Sequence, residues 1–209
     1  LATYVGKQIN DKKPVFDNLN NPNQQELICL SCGLATVSNS CMFHGVGVTP
    51  EAPTLEAAFG GKTDYAIIEF GAKELKTGYE MLHSGNNRNI DYVAIGCPHA
   101  TLDEVREVAE LLDGKKVHEG VQFLVHTNVQ TKAIAKQLGF LDTIEKSGAI
   151  VTQDFCTSLG DPEDFGAHVC ATNSSRIAFY GPHNNGFDVW FGDAAKCVDA
   201  AIKGHWDFD

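Results

Sequence analysis

A three-layer α/β fold around a mostly parallel sheet is what this sequence predicts. Three observations lead there. Apolar runs of strand length recur beyond Lys62, helical patterns lie between most of them, and the runs are continuously apolar rather than alternating. Strands of that kind are buried on both faces, which parallel sheets covered by helices achieve. The 209 residues suffice for one large domain or a domain with an appendage, and 43% hydrophobic with 21% charged residues is ordinary globular composition.

Taken in order, residues 1–24 are polar and turn-rich and read as an opening loop. Gln25 to Val37 carries Leu27, Ile28, Leu30, Leu34 and Val37 at helical spacing. Cys41 to Val48 reads as a short buried strand ending at Thr49-Pro50-Glu51, and Thr54 opens a short helix closed by Gly60-Gly61. These elements form a region of residues 1–61, set apart from an α/β domain over 62–209. In the latter, strands are expected at Tyr65 to Phe70, Ile90 to Ile95, Val121 to Val125, Ala149 to Thr152, His168 to Ala171 and Phe187 to Phe191. The clearest helix is Leu102 to Leu112, where Thr101 and Glu104 make a capping box and Gly114 follows as the C′ residue.

Charge and composition exclude several classes of function. With 27 acidic and 16 basic residues the net charge is −11, and no basic stripe offers a grip on nucleic acid. The apolar runs are too short to cross a bilayer. No signal-peptide pattern opens the chain, so a cytoplasmic protein is expected. The first residue is Leu1, and the abrupt start suggests a piece of a longer polypeptide. Seven cysteines (Cys29, Cys32, Cys41, Cys97, Cys156, Cys170, Cys197) are an odd number placed largely within periodic patterns. Reduced thiols are expected rather than a disulfide framework.

Chemistry in an open parallel sheet gathers at the carboxyl ends of the strands. Three cysteines fall at such places. Cys97 ends a strand in Gly96-Cys97-Pro98-His99, Cys156 follows another, and Cys197 lies in the first turn of a helix with Asp193 as its N-cap. A helix N-terminus favours thiolate, the form that binds metal or attacks carbon, although each cysteine taken alone reads equally well as a small buried hydrophobe. A second candidate is Thr172-Asn173-Ser174-Ser175-Arg176, whose hydroxyls, amide and guanidinium suit an anion and equally suit a plain N-cap with a surface arginine. A third is Met42 to Ala52, where His44 and Glu51 are either acid–base groups or a core histidine and a helix-start carboxylate. The Cys29-x-x-Cys32 pair sits in a helical pattern without a second pair, and a Cys97–His99 nucleophile lacks an orienting group. His83, His118, His126, His183 and His205 are expected on surfaces or loops.

The same segments carry a family resemblance. His44-Gly45-Val46-Gly47-Val48-Thr49-Pro50-Glu51-Ala52, Gly96-Cys97-Pro98-His99, Asp154-Phe155-Cys156, Thr172 to Arg176 with Tyr180, and Phe191-Gly192 with Cys197-Val198-Asp199-Ala200-Ala201 occur in that order. Together they resemble the carboxyl-terminal half of the large subunit of aconitase X. The resemblance implies an aconitase-like fold and an iron–sulfur hydro-lyase acting on cis-3-hydroxy-L-proline or, alternatively, mevalonate 5-phosphate. It implies Cys97, Cys156 and Cys197 as ligands of a 2Fe-2S or 4Fe-4S cluster. Asn173, Ser174, Ser175 and Arg176, with Thr49 and Glu51, are implied as substrate contacts, and His44, His99 and Ser175 as catalytic groups. It further implies a small swivelling subunit and a missing amino-terminal half as partners. From another class altogether, the chain could be a non-catalytic α/β module that binds a partner subunit.

Overall fold

The computed structural model describes residues 1–40, 42–157 and 166–208. Two compact units divide the chain, Leu1–Met81 and Leu82–Asp209. The boundary expected after Gly61 thus lies twenty residues earlier than the one observed. The reason is visible in the packing: Ile68 and Phe70 pack against the core of the first unit, and the helix that follows them packs against the first helix of the chain.

The first unit contains α1 (Ala2–Ile9), β1 (Val15–Phe16), α2 (Gln24–Val37), β2 (His44–Gly45), α3 (Leu55–Ala58) and α4 (Ala72–Glu80). The opening segment is therefore a helix and not a loop. Val5 and Ile9 bury one side of it against Leu30 and Leu34 of α2, and a Cβ on Gly6 would fall 2.2 Å from the Val37 side chain, so the two helices meet closely. Asn23 caps α2 in a box with Glu26. Only His44–Gly45 of the expected 41–48 strand is a strand, paired parallel to Val15–Phe16, and Cys41 lies outside the described residues. No strand forms at 65–70. Ile67 is 79% exposed there, while Ile68 and Phe70 dock singly.

The second unit runs β3 (Tyr92–Ala100), α5 (Leu102–Leu112), β4 (Gln122–Thr127), α6 (Val129–Gln137), α7 (Phe140–Ser147), β5 (Ile150–Gln153), β6 (Val169–Thr172), α8 (Ser175–Tyr180), a π-helical turn (Gly181–Asn185), β7 (Asp188–Phe191) and α9 (Ala194–Lys203). All its strands pair in parallel in the order β5-β4-β3-β6-β7. Side-chain alternation divides the core between the two faces. Val93, Ile95, Phe123 and Val125 meet Val105, Val108, Leu112 and Ile144 of the helices on one face. Tyr92, Ala94, Leu124 and Cys170 meet Ile177, Ala178 and Phe187 on the other. Side-chain caps start the helices where expected: Thr101 with Glu104 for α5, Asp193 for α9.

Both margins of this sheet carry contacts from outside it. Along β7, Ser84 and Gly85 donate their amides to the Val189 carbonyl, the Ser84 hydroxyl accepts from Val189 N–H, and His83 Nδ1 accepts from Phe191 N–H. Trp190 Nε1 donates to the Asn87 carbonyl at 2.7 Å and stacks on Trp206. Along β5, the Lys132 ammonium donates to the Val151 carbonyl at 2.6 Å. Among the described residues no helix is long and apolar enough to cross a membrane.

Candidate active-site rim at the strand switch point

The chain leaves β3 toward β4 and β5, then returns to lay β6 on the other side of β3. The reversal makes the carboxyl end between β3 and β6 the natural crevice of a doubly wound sheet. Here β3 is irregular. Its pairing with β4 breaks between Ile95 and Ala100, Gly96 takes φ +99°, and the Cys97–Pro98 peptide is cis. A Cβ on Gly96 would lie 2.1 Å from the His126 carbonyl oxygen, so only glycine passes. Hydroxyls from the neighbouring strands and from the loop after β6 take up the carbonyls of this stretch: Thr172 donates to Ala94 O, Thr127 to Ala100 O (each 2.7 Å) and Ser174 to Cys97 O.

The bulge presents Cys97 half-buried and His99 exposed. His99 Nε2 lies 3.3 Å from the Phe155 carbonyl, which ties this loop to the turn after β5. In that turn Asp154 adopts φ +52° and donates its amide to Thr127 O, Cys156 is exposed and Thr157 is buried. On the β6 side, the Ser174 hydroxyl also accepts from Ile177 N–H as the N-cap of α8. It is fully committed, which leaves half-buried Asn173 and Ser175 and exposed Arg176 as outward groups of that loop. The Arg176 guanidinium sits 5.9 Å from the Tyr180 ring.

Cys197 does not join them. It is 0% exposed and packs into the core on the face opposite the one that Cys97 and Phe155 line, with its sulfur 3.9 Å from the Gly192 carbonyl. Burial pushes its thiol well above the ordinary range, as it does for Cys170. Among the described residues no group of three His, Cys, Asp or Glu side chains is arranged to hold a metal ion. A cluster gripped by Cys97, Cys156 and Cys197 together therefore does not fit this arrangement. The strand-end reading of Cys197 went astray because the helix N-terminus turns that side chain inward, into the core.

The first unit holds the remaining candidates. His44 is half-buried in β2, with an Nδ1 that is buried and makes no hydrogen bond to the described residues. Thr49 turns back on Gly45, its hydroxyl accepting from Gly45 N–H at 3.2 Å, and Glu51 is exposed in the next turn.

Sequence reasoning missed His126, assigning it to a surface or loop. It is 1% exposed, one residue short of the end of β4, between Thr152 and Thr157. Burial, with a lesser contribution from His99, lowers its pKa to about 4, so the ring is neutral. Tyr92, hydrogen-bonded to Thr157, is raised by burial. The available signal was its place in a strand covered on both faces, where successive side chains are all buried. His83 lies in a loop as expected, half-buried and 5.3 Å from the Trp190 ring.

The family model described as the Aconitase X third domain matches residues 90–203, and that of the Aconitase X second domain matches residues 1–80. The chain belongs to the aconitase X family. The two matches agree with the two units seen in the structure. Among curated relatives, the cis-3-hydroxy-L-proline dehydratases of Pseudomonas aeruginosa and Hypocrea jecorina are 35% and 33% identical over 98% and 99% of this chain, and 36% of each relative is covered. The phosphomevalonate dehydratase large subunit of Methanocaldococcus jannaschii is 34% identical over 98% of this chain and 49% of its own. A crystal structure of Thermococcus kodakaraensis aconitase X in its holo-form superposes with a TM-score of 0.82 at 29% identity, over 96% of this chain and 50% of that one. The chain thus spans between about a third and a half of the length of the relatives it matches.

Proposed function

We propose that this chain supplies part of the active site of a dehydratase that removes water from a small hydroxy acid. The observation that carries the reading is the coincidence of the aconitase X match with a polar rim at the sheet's switch point. In such a reaction a base takes the proton from the carbon bearing the carboxylate. The electron pair of that C–H bond becomes the C=C bond, and the C–O bond of the neighbouring carbon breaks. Hydroxide leaves as water once protonated.

In this reading Arg176 pairs the substrate carboxylate, Asn173 and Ser175 hydrogen-bond its polar groups, and His99 delivers the proton to the departing hydroxyl. His44, Thr49 and Glu51 belong to the first unit. The general base and the remaining walls come from the rest of the polypeptide and a partner subunit. An iron–sulfur cluster held by Cys97, Cys156 and Cys197 together does not fit, because Cys197 is buried on the opposite face of the sheet.

For the substrate we favour cis-3-hydroxy-L-proline over mevalonate 5-phosphate. Arg176 is the one cation in the rim segments 97–99, 154–157 and 172–176. One guanidinium matches one carboxylate, whereas a substrate bearing a carboxylate and a phosphate calls for more positive charge. The test is incubation of the full-length enzyme and its partner with each acid, following loss of water by mass spectrometry. Turnover of the hydroxyproline supports the proposal, and Arg176→Met should then raise KM by about tenfold or more. Turnover of the phosphorylated acid alone would overturn the substrate assignment, and turnover of neither would overturn the dehydratase reading.

A further inference from the structure

One buried polar array at the rim has no part in the chemistry just described. His126 Nδ1 lies 2.7 Å from Thr152 Oγ1 on β5, and its Nε2 lies 2.8 Å from Thr157 Oγ1. The same Thr157 oxygen is 3.2 Å from the Tyr92 hydroxyl of β3, and the Thr157 carbonyl accepts from Asn185 Nδ2 at 3.4 Å. His126 and Phe155 rings face each other at 5.3 Å. Polar groups in an apolar core cost stability unless hydrogen-bonded, and a joined set defines one arrangement where aliphatic packing would tolerate several. The array converges on the short turn that carries Cys156.

We propose that His126, Thr157 and Tyr92 form a latch that fixes the Asp154–Thr157 turn and thereby the Phe155 carbonyl against which His99, the proposed proton donor, is held. These are positioning residues, acting on the rim through the backbone of the turn. Thr157 is the pivot, because its hydroxyl is shared by the imidazole and the phenol. The proposal rests on the dehydratase reading only in its kinetic arm. Hydrogen exchange of the turn tests the latch itself.

The experiment uses the full-length enzyme with its partner. Thr157→Val removes the hydroxyl at nearly constant volume. Expected are an increase of about tenfold in deuterium uptake rate over residues 154–157 with uptake over 92–95 unchanged, and a fall of about tenfold in kcat with little change in KM. Thr157→Ser should restore both. His126→Asn provides the same exchange measurement should the valine variant not fold. Unchanged uptake in the turn would overturn the latch whatever the activity. Faster uptake across the whole sheet, or failure of serine to restore, would reduce the array to ordinary packing and overturn it as well. If the wild type dehydrates neither acid, the dehydratase reading falls while the exchange result still decides the latch.

Discussion

Acid should weaken the second unit through one side chain. In the unfolded chain His126 takes up a proton near its ordinary pKa of 6.5, whereas burial holds the folded ring neutral down to about 4. Between those values the unfolded state binds more protons, so stability present above pH 6.5 drains away as the pH falls toward 4. From pH 7 to pH 4.5 this one group should contribute a loss of about 2 to 3 kcal/mol. Both tryptophans, Trp190 and Trp206, are buried in the second unit, so tryptophan fluorescence in urea titrations reads that unit. His126→Gln removes the titration. It should start less stable at neutral pH and lose about 2 to 3 kcal/mol less than wild type over the same interval, carboxylates contributing equally to both. If the two proteins lost stability in parallel, burial of a neutral His126 would not be the source of the acid sensitivity.

Two further outcomes follow from the rim. Gly96→Ala meets both a left-handed backbone and the His126 carbonyl, and should cost about 3 kcal/mol or more, read as a lowered urea midpoint or loss of soluble protein. Iodoacetamide under native conditions should modify exposed Cys156 and leave Cys197 and Cys170 untouched until urea unfolds the chain, as peptide mass spectrometry will show.

Much of this architecture was legible because its signals are local. The sheet strands of the second unit announce themselves as apolar runs, and Thr101, Glu104 and Asp193 mark helix starts through bonds made within three residues. What escaped depended on partners far away in sequence. Tyr65 to Phe70 has strand composition, yet it pairs with no described strand, and Ile68 and Phe70 dock singly while Ile67 stays exposed. Ala2–Ile9 looks polar until α2 is there to cover Val5 and Ile9. At the site, the approach of His99 to the Phe155 carbonyl spans 56 residues and that of Thr157 to Tyr92 spans 65, so no spacing rule would pair them. The rim motifs themselves were placed correctly at β3 and β6, because strand ends follow from strand assignments. Cys197 was misplaced because a helix position fixes a backbone location but not the direction its thiol takes.

Among the described residues, the two sides of the second unit's sheet are guarded by different means, one by a backbone segment stitched along it and the other by the Lys132 ammonium on one carbonyl. Unpaired strand margins invite recruitment by other chains, and a lysine at the margin is a common deterrent. Neutralising Lys132 would therefore turn the β5 side into the place where misassembly begins, while the β7 side stays inert because any newcomer would first have to strip away the Ser84–Asn87 seam.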